Sequence, residues 1–273
     1  MATSDGSNAA RVEQLLGAFR AGDDDTVLDL VDPAIELVPL VVRAGLVPGP
    51  YRGVDGLRAY LADGEAAAVE RGFFPDRLRA VADTVVVFGH VIHDGDATQT
   101  PAIWVWRLRD GLATHGAMVS DETALRARHG RRFVGAAPGG GARAPLWLAL
   151  PAVPESVADA RHALRLWAET LPLTREDRDG LLLALSEAAT NVVRHAYPRG
   201  SSTEAVRISA EIDDGRLLVT VEDDGVGLAA LAPDPGLGMG LPLLGILSET
   251  VALVSAPERT RGSEVQMWFP LSG

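Results

Sequence analysis

The chain has 273 residues, of which 47% are hydrophobic, so it is long enough for two domains that each bury a core. Its formal net charge is −12 and its pI is about 4.9, which argues against binding to a nucleic-acid backbone and against a polybasic membrane anchor. Cysteine and lysine are both absent, which excludes disulfides, cysteine zinc sites, a Walker A lysine and Schiff-base chemistry.

Neither the start of the sequence nor its most apolar stretch predicts a membrane segment. Residues 1–8 are polar and carry no basic segment, so we expect no signal peptide. The most apolar stretch, residues 28–47, is interrupted by charged residues and prolines and cannot span a bilayer. A soluble cytoplasmic protein is the expectation.

The first half of the chain has helices followed by strands. Apolar residues at helical spacing predict a helix over residues 8–21, with one apolar face: Val12, Leu15, Leu16 and Phe19. A second helix is expected around Leu57, Tyr60 and Leu61. Strands are predicted at 84–93, 101–108 and 112–119, the last two joined by a turn at Asp110-Gly111, which is a strong hairpin signal. This order is typical of an α+β domain.

Residues 8–128 resemble the SnoaL-like, or nuclear-transport-factor-two-like, family in the opening helix, in GPYRGVDGLRAYL (49–61) and in VWRLRDGLATHGAMVSD (105–121). The resemblance implies an α+β cone with a curved antiparallel sheet. By fold-level analogy it also implies a domain that senses a small apolar ligand, forms a homodimer, or does both.

Three histidines of this half lie on predicted strands: His90, His93 and His115. One of them could perform acid/base chemistry in the cone together with a nearby carboxylate, from Asp94, Asp96 or Asp121. A structural or surface role is the favoured interpretation.

A glycine- and proline-rich segment, residues 129–144, predicts a linker, and residues 145–273 form the second domain. We expect helices at 155–170 and from Thr174, a capping residue, to about His195. A hairpin follows, with strands 206–212 and 217–221 around Asp213-Asp214-Gly215. A glycine-rich loop, a helix at 241–249 and strands at 251–255 and 264–270 complete a mixed sheet with helices on one face.

The first motif with chemical potential is SEAATNVVRHAY (186–197), in which Glu187, Asn191 and His195 share one helix face. An amide oxygen suits Mg²⁺, and a carboxylate suits a general base. A solvated polar face is the alternative. The flanking alanines and the otherwise apolar helix favour a functional pair.

Two further motifs follow. VEDDGVG (221–227) places Asp223 at a strand end, where it can accept a hydrogen bond from an exocyclic amine, with Gly225 and Gly227 permitting close approach of a flat ligand. An ordinary acidic turn is the alternative. PGLGMGLPLL (235–244) alternates Gly236, Gly238 and Gly240 before an apolar helix, which suits phosphate binding. The spacing differs from a Rossmann fingerprint.

The three motifs, in this order, resemble the N, G1 and G2 boxes of GHKL ATPases, which have the Bergerat α/β sandwich fold. The sequence LALSEAATNVVRHAYP, followed by GLGMGLPLL, is similar to the corresponding motifs of the anti-sigma-factor serine/threonine kinases. The resemblance implies that ATP and Mg²⁺ are the cofactors. It also implies a protein partner, which is a small antagonist protein that is phosphorylated, a sigma factor that is sequestered, or both.

The resemblance assigns roles to individual residues. Asp223 would bind adenine with support from Ser263, and Asn191 would hold Mg²⁺. Glu187 would be the catalytic base for a serine hydroxyl of the partner. Five glycines would bind the cofactor: Gly225 and Gly227 of the G1 box, and Gly236, Gly238 and Gly240 of the G2 box.

One departure from the family concerns the short lid, LAALAPDP (228–235), which contains no arginine. Phosphoryl transfer depends on cations at the phosphates. In a chain without lysine, these must come from Mg²⁺, from Arg194 or Arg199, or from a partner. A non-catalytic, nucleotide- or ligand-gated interaction protein of the same fold is therefore the alternative to a kinase. An enzyme with its chemistry in the cone is a third hypothesis.

Overall fold

The computed structural model describes residues 4–44, 46–92, 99–120, 145–169, 171–197, 204–226, 248, 250–254 and 262–271. The chain divides into two compact units, Met1–Gly141 and Ala142–Gly273. Each unit has its own sheet, of six strands in the first and five in the second. The expected linker, 129–144, lies outside the described residues. Within the described part, no helix is long and apolar enough to cross a membrane.

The first unit contains five helices and six strands among its described residues. The helices are α1 (Ser4–Ala21), α2 (Asp24–Asp29), α3 (Leu40–Arg43), α4 (Gly53–Ala62) and α5 (Gly64–Arg71). The strands are β1 (Val31–Val38), β2 (Tyr51–Arg52), β3 (Phe73–Val81), β4 (Thr84–Ile92), β5 (Gln99–Arg109) and β6 (Leu112–Ser120).

The apolar helix faces predicted from the sequence form the core of this unit. All seven residues are at most 5% exposed: Val12, Leu15, Leu16, Phe19, Leu57, Tyr60 and Leu61. At about 25 cal/mol per Å² of apolar surface, burying such side chains contributes about 1.5–3 kcal/mol each, which holds α1 and α4 against the sheet.

The sheet of the first unit has the order β2-β1-β6-β5-β4-β3. The β5–β6 hairpin turns at Asp110 and Gly111, whose φ values are 52° and 78°, so the predicted Asp-Gly hairpin is confirmed. The sheet is antiparallel except where β1 pairs with β6 in parallel. This one parallel pair was not predicted, because it joins segments that are far apart in the sequence.

A carboxyl group is buried among the helices of the first unit. Glu70 of α5 is 2% exposed and accepts hydrogen bonds from the backbone N–H of Leu40, at 2.8 Å, and from the hydroxyl of Tyr60. Burial raises the pKa of Glu70 from 4.5 to about 7, although both hydrogen bonds act to lower it. The side chain therefore links α3, α4 and α5 and titrates close to neutral pH.

The second unit has two helices, a π-helical turn and five strands among its described residues. They are β7 (Leu146–Pro151), α6 (Pro154–Ala168), α7 (Arg175–Asn191), the π-helical turn Val192–Ala196, β8 (Ala205–Asp213), β9 (Arg216–Asp223), β10 (Thr250–Val254) and β11 (Ser263–Pro270). The helix expected at 241–249 lies outside the described residues except for Ser248.

The predicted start of α7 is confirmed. The hydroxyl of Thr174 accepts a hydrogen bond from the backbone N–H of Asp177 at 3.1 Å and donates one to its carboxylate at 2.6 Å. These two bonds cap the helix and fix the position from which it runs across the sheet. From there α7 contacts β9 and β11.

The second sheet has the order β10-β11-β9-β8-β7, and all pairings among its described strands are antiparallel. The mixed sheet expected from the sequence is therefore not found in these strands. A single crossover helix between two strands would bring the chain back to the same edge of the sheet, so that the second strand would run parallel to the first. Here the two packed helices α6 and α7 separate β7 from β8, so the chain re-enters the sheet in the opposite direction.

The pKa of Glu70 predicts a loss of stability as the pH rises. Between about pH 4.5 and about pH 7 the folded unit holds a proton that the unfolded chain has released, so the free energy of unfolding should fall by about 3 kcal/mol across this window. In Glu70→Gln, which cannot ionise, this part of the pH dependence should be absent. Chemical denaturation of both proteins at several pH values measures the difference.

Glu13→Gln, on the exposed face of α1, is the control and should keep the pH dependence of the wild type. Parallel stability curves for the wild type and Glu70→Gln would show that the Glu70 carboxyl does not titrate in this range.

Candidate functional site

The polar pair of the first motif lies at the C-terminal end of α7. Glu187 and Asn191 are half-buried and one helical turn apart, while Ala184, Ala188 and Ala189 around them are buried. These small side chains keep the helix slim beside the carboxylate and the amide. The two groups are therefore placed to act on one small target.

The helix widens directly after Asn191. Residues Val192–Ala196 form a π-helical turn. Such turns are rare in proteins, and those that occur are often found at functional sites. His195 is half-buried within this turn. At its end, the carbonyl oxygen of Ala196 accepts a hydrogen bond from the backbone N–H of Val226 at 2.9 Å. The π-helical turn thus joins the helix of the first motif to the loop of the second.

Asp223 is the last residue of β9, and its carboxylate is buried, with the residue 1% exposed. One carboxylate oxygen accepts a hydrogen bond from the backbone N–H of Gly225 at 2.7 Å, and the other accepts one from the hydroxyl of Ser263. Ser263 stands opposite Asp223 in the β9–β11 register. The structure therefore brings together the two residues that the resemblance pairs.

The backbone amides of the turn after Asp223 are all engaged. The N–H of Asp224 donates to the Tyr197 hydroxyl at 3.0 Å, that of Gly225 to Asp223, and that of Val226 to Ala196. None of the three is left to bind a phosphate. The turn, Asp224 to Val226, therefore serves to hold the Asp223 carboxylate in place.

Two glycines permit this arrangement because backbone segments approach closely. A Cβ on Gly225 would lie 2.2 Å from the Ala196 carbonyl oxygen, so the space beside Gly225 is occupied by chain. Gly262 has φ +89°, and a Cβ there would lie 2.3 Å from the carbonyl oxygen of Asp223. The other glycines expected to bind nucleotide lie outside the described residues: Gly227, Gly236, Gly238 and Gly240.

Arg207 is a cation beside this turn that the motifs in the sequence did not indicate. Its guanidinium contacts both carboxylate oxygens of Asp224, at 2.5 and 2.8 Å, and its Nε lies 3.4 Å from Glu222. The hydrogen bonds to Asp224 are the main reason that the pKa of Arg207 is raised above its usual range. All three guanidinium nitrogens are thereby engaged by the protein.

The described histidines of the first unit lie away from the cone interior. His115 of β6 is flanked in the sheet by Glu36 and Arg107. The neighbouring Gly116 faces the Trp106 ring, so His115 is on the other side of the sheet. Burial, and then Arg107, lower the pKa of His115, which favours the neutral imidazole.

The His90 ring stacks on the Phe74 ring, with ring centroids 5.8 Å apart. Its Nδ1 lies 3.4 Å from Oδ2 of Asp76. His93 lies outside the described residues, as do the three carboxylates suggested as partners for these histidines: Asp94, Asp96 and Asp121. These positions do not favour acid/base chemistry by His90 or His115 inside the cone.

The cone interior instead contains two stacked tryptophans. Trp104 and Trp106 have ring centroids 4.7 Å apart at an interplanar angle of 14°, and Phe19 lies 6.3 Å from each. Both indoles are fully buried, and neither indole N–H has a hydrogen-bond partner within the described part of the chain. Buried donors normally have a partner, so these two N–H groups require an explanation.

Two family models match the chain. Residues 150–269 match the histidine kinase-like ATPase domain, and residues 12–116 match the SnoaL-like domain. A structural relative is an NTF2-like protein of unknown function from Burkholderia pseudomallei K96243. It is 22% identical, with a TM-score of 0.38, and the match covers 44% of this chain and 95% of that one.

Curated relatives match the second unit. An anti-sigma F factor from Clostridium acetobutylicum is 30% identical over 124 residues, which are 41% of this chain and 84% of the relative. Serine-protein kinase RsbW from Bacillus licheniformis is 36% identical over 75 residues, which are 28% of this chain and 47% of the kinase. The chain thus spans about half the length of that kinase.

The two family models match separate parts of the chain, in agreement with the two compact units. The chain therefore belongs to the family of the anti-sigma F factors through a histidine kinase-like ATPase domain at residues 150–269, and it carries a SnoaL-like domain at residues 12–116.

Proposed function

We propose that the second unit binds Mg-ATP and acts as an anti-sigma-factor kinase, which phosphorylates an antagonist protein, sequesters a sigma factor, or does both. The observation that carries this proposal is the hydrogen-bonded contact between the first two motifs. The π-helical turn after Asn191 is hydrogen-bonded to the turn after Asp223, so the amide and the buried carboxylate belong to one local structure.

The residues present fit an adenine nucleotide. Each carboxylate oxygen of Asp223 already accepts one hydrogen bond from the protein and retains the capacity for another. A buried carboxylate favours a ligand that brings a donor, and the exocyclic amine of adenine is such a donor. Ser263 would hold the carboxylate in the orientation that this contact needs.

The remaining roles follow from the chemistry of the side chains. Among the described residues, no three His, Cys, Asp or Glu side chains gather to hold a metal ion, so Mg²⁺ would be shared between the Asn191 amide oxygen and the nucleotide. Glu187, one turn earlier on α7, would take the proton of the acceptor serine hydroxyl. ATP supplies the phosphoryl group, and the glycines at 236, 238 and 240 would wrap its phosphates.

A binding-only regulator is the second candidate, and the distribution of charge favours it. The lid, 228–235, has no arginine, and the guanidinium of Arg207 is engaged by Asp224 and Glu222. Transfer of a phosphoryl group would then depend on Mg²⁺, on Arg194 or Arg199, or on cations supplied by the partner.

For the first unit we propose a regulatory role through a small ligand, through homodimer formation, or through both. The unpartnered N–H groups of Trp104 and Trp106 favour a largely apolar ligand that carries a hydrogen-bond acceptor.

Such a ligand should raise the unfolding temperature of the full chain. The rise should be smaller in Trp104→Phe, which keeps an aromatic ring but lacks the N–H. An equal rise in both proteins would contradict this contact.

Nucleotide binding is tested first at Asn191 and Asp223. Asn191→Ala should weaken Mg-dependent ATP binding by about 10- to 100-fold, because a metal ligand is lost. Asp223→Asn should reduce the preference for ATP over GTP, because a carboxylate that only accepts hydrogen bonds is replaced by an amide that also donates. Isothermal titration calorimetry with each nucleotide and Mg²⁺ measures both effects.

The matched control is Asp214→Asn, in the exposed β8–β9 turn, where φ is +47° and asparagine is tolerated. It should bind ATP as the wild type does. Unchanged ATP affinity and selectivity in both site variants would refute the proposed site.

Catalysis is tested at Glu187. With Mg-ATP and candidate antagonist proteins, the wild type should label a serine of its partner, and Glu187→Gln should reduce that rate by about 10²-fold or more while ATP affinity stays within about twofold. Glu211→Gln, on the exposed face of β8, is the control. ATP binding by the wild type without transfer to any partner would favour the binding-only candidate.

A further inference from the structure

We propose that Tyr197 and Arg207 are positioning residues that set the purine selectivity of the nucleotide site by fixing Asp223 without touching the nucleotide. This inference rests on the proposed function, since it concerns the site that would bind adenine. It is carried by the contacts around Asp224, the residue that directly follows the buried carboxylate.

Tyr197 connects three elements of the second unit through one hydroxyl group. It directly follows the π-helical turn at the end of α7. Its hydroxyl accepts a hydrogen bond from the backbone N–H of Asp224 at 3.0 Å and donates one to the carbonyl oxygen of Ala205, the first residue of β8, at 2.8 Å. The hydroxyl therefore ties the helix that carries Asn191 to the turn that follows Asp223.

The guanidinium of Arg207 binds the side chain of the same residue, Asp224. Its two terminal guanidinium nitrogens donate to the two carboxylate oxygens of Asp224, and such bidentate, charge-assisted contacts are among the stronger hydrogen bonds. The register of β8 and β9 places Arg207 opposite Glu222, one residue before Asp223. Asp224 is thus held at its backbone by Tyr197 and at its carboxylate by Arg207.

These two contacts fix the peptide that joins Asp223 to Asp224. The Asp224 N–H belongs to that peptide, so rotation of the peptide would break the bond to Tyr197. The same peptide sets where β9 ends and how the Asp223 side chain leaves the backbone. The orientation of the buried Asp223 carboxylate therefore depends on a hydroxyl and a guanidinium that both bind the next residue, Asp224.

Orientation matters because the carboxylate discriminates between purines by hydrogen bonding. The 6-amino group of adenine donates to a carboxylate, whereas the 6-oxo group of hypoxanthine is an acceptor and is repelled. Sites that hydrogen-bond a specific group reject the analogue that lacks it, provided that the groups are held closely in position. Loosening Asp223 should therefore reduce the affinity for ATP and leave that for ITP nearly unchanged.

The test compares Mg-ATP and Mg-ITP binding to the full chain. In Tyr197→Phe, which removes the hydroxyl and keeps the ring, the ATP affinity should fall by about fivefold while the ITP affinity stays within about twofold, the effect expected for one lost hydrogen bond. Arg207→Gln should shift the same ratio in the same direction. Glu222→Gln, which leaves both bonds from Arg207 to Asp224, is the matched control and should keep the wild-type ratio.

Hydrogen exchange without nucleotide supplies an independent readout. The amide of Asp224 should exchange faster in Tyr197→Phe than in the wild type, because its acceptor is gone. Loss of ATP and ITP affinity by the same factor would show that Tyr197 has a merely structural role and would overturn the inference, as would an unchanged ratio.

The outcomes also separate this inference from the proposed function. A wild type that binds ATP in preference to ITP, with both positioning variants unchanged, overturns the inference alone. A wild type that binds neither nucleotide overturns the proposed function and the inference with it. Should Tyr197→Phe fail to fold, Arg207→Gln and its Glu222→Gln control decide the matter.

Discussion

Burial of the Asp223 carboxylate is the constraint on which the second unit depends. Removing a carboxylate from water costs several kcal/mol unless hydrogen bonds replace the lost solvent. Here the replacements come from the turn that follows β9, through Gly225, and from the neighbouring strand β11, through Ser263. One buried charge thus requires two strands and a turn to be in the correct register.

That requirement extends to the helix. The turn can present the Gly225 N–H to Asp223 only because it rests on the end of the π-helical turn, with Val226 bonded to the Ala196 carbonyl and no side chain on Gly225 to prevent the contact. The position of Asn191 is therefore coupled to that of Asp223. A nucleotide that bound both would bind to groups already arranged relative to each other, which reduces the entropic cost of binding.

Local signals made much of this fold predictable. The Asp214-Gly215 turn, with both φ values positive, sets the register of β8 and β9. Counting back from it places Arg207 opposite Glu222, so this contact could have been found from the sequence. The cap at Thr174 and the apolar face of α1 were also predicted correctly, because each depends on residues within a few positions of one another.

Long-range contacts were not accessible in this way. The parallel pairing of β1 with β6 and the edge strand β7 depend on tertiary packing that the sequence pattern does not record. The bond between Tyr197 and Asp224 joins residues 27 positions apart, and it was missed although both residues lie in the quoted motifs. The outward position of His115 was accessible, since its neighbour Gly116 and Met118 alternate with it on the core side of β6.

The negative charge near the site would favour a partner that brings a cation. Near the turn stand the carboxylates of Asp223, Asp224 and Glu222, and the guanidinium of Arg207 is held by two of them. A triphosphate bound beside these groups would add further negative charge to a chain whose formal net charge is already −12. Since lysine is absent and the lid has no arginine, neutralisation would fall to Mg²⁺ and to cations outside the lid. A partner that brought a cation to the phosphates would then bind more tightly to the nucleotide-loaded chain than to the empty one, and by linkage it would strengthen nucleotide binding by the same factor.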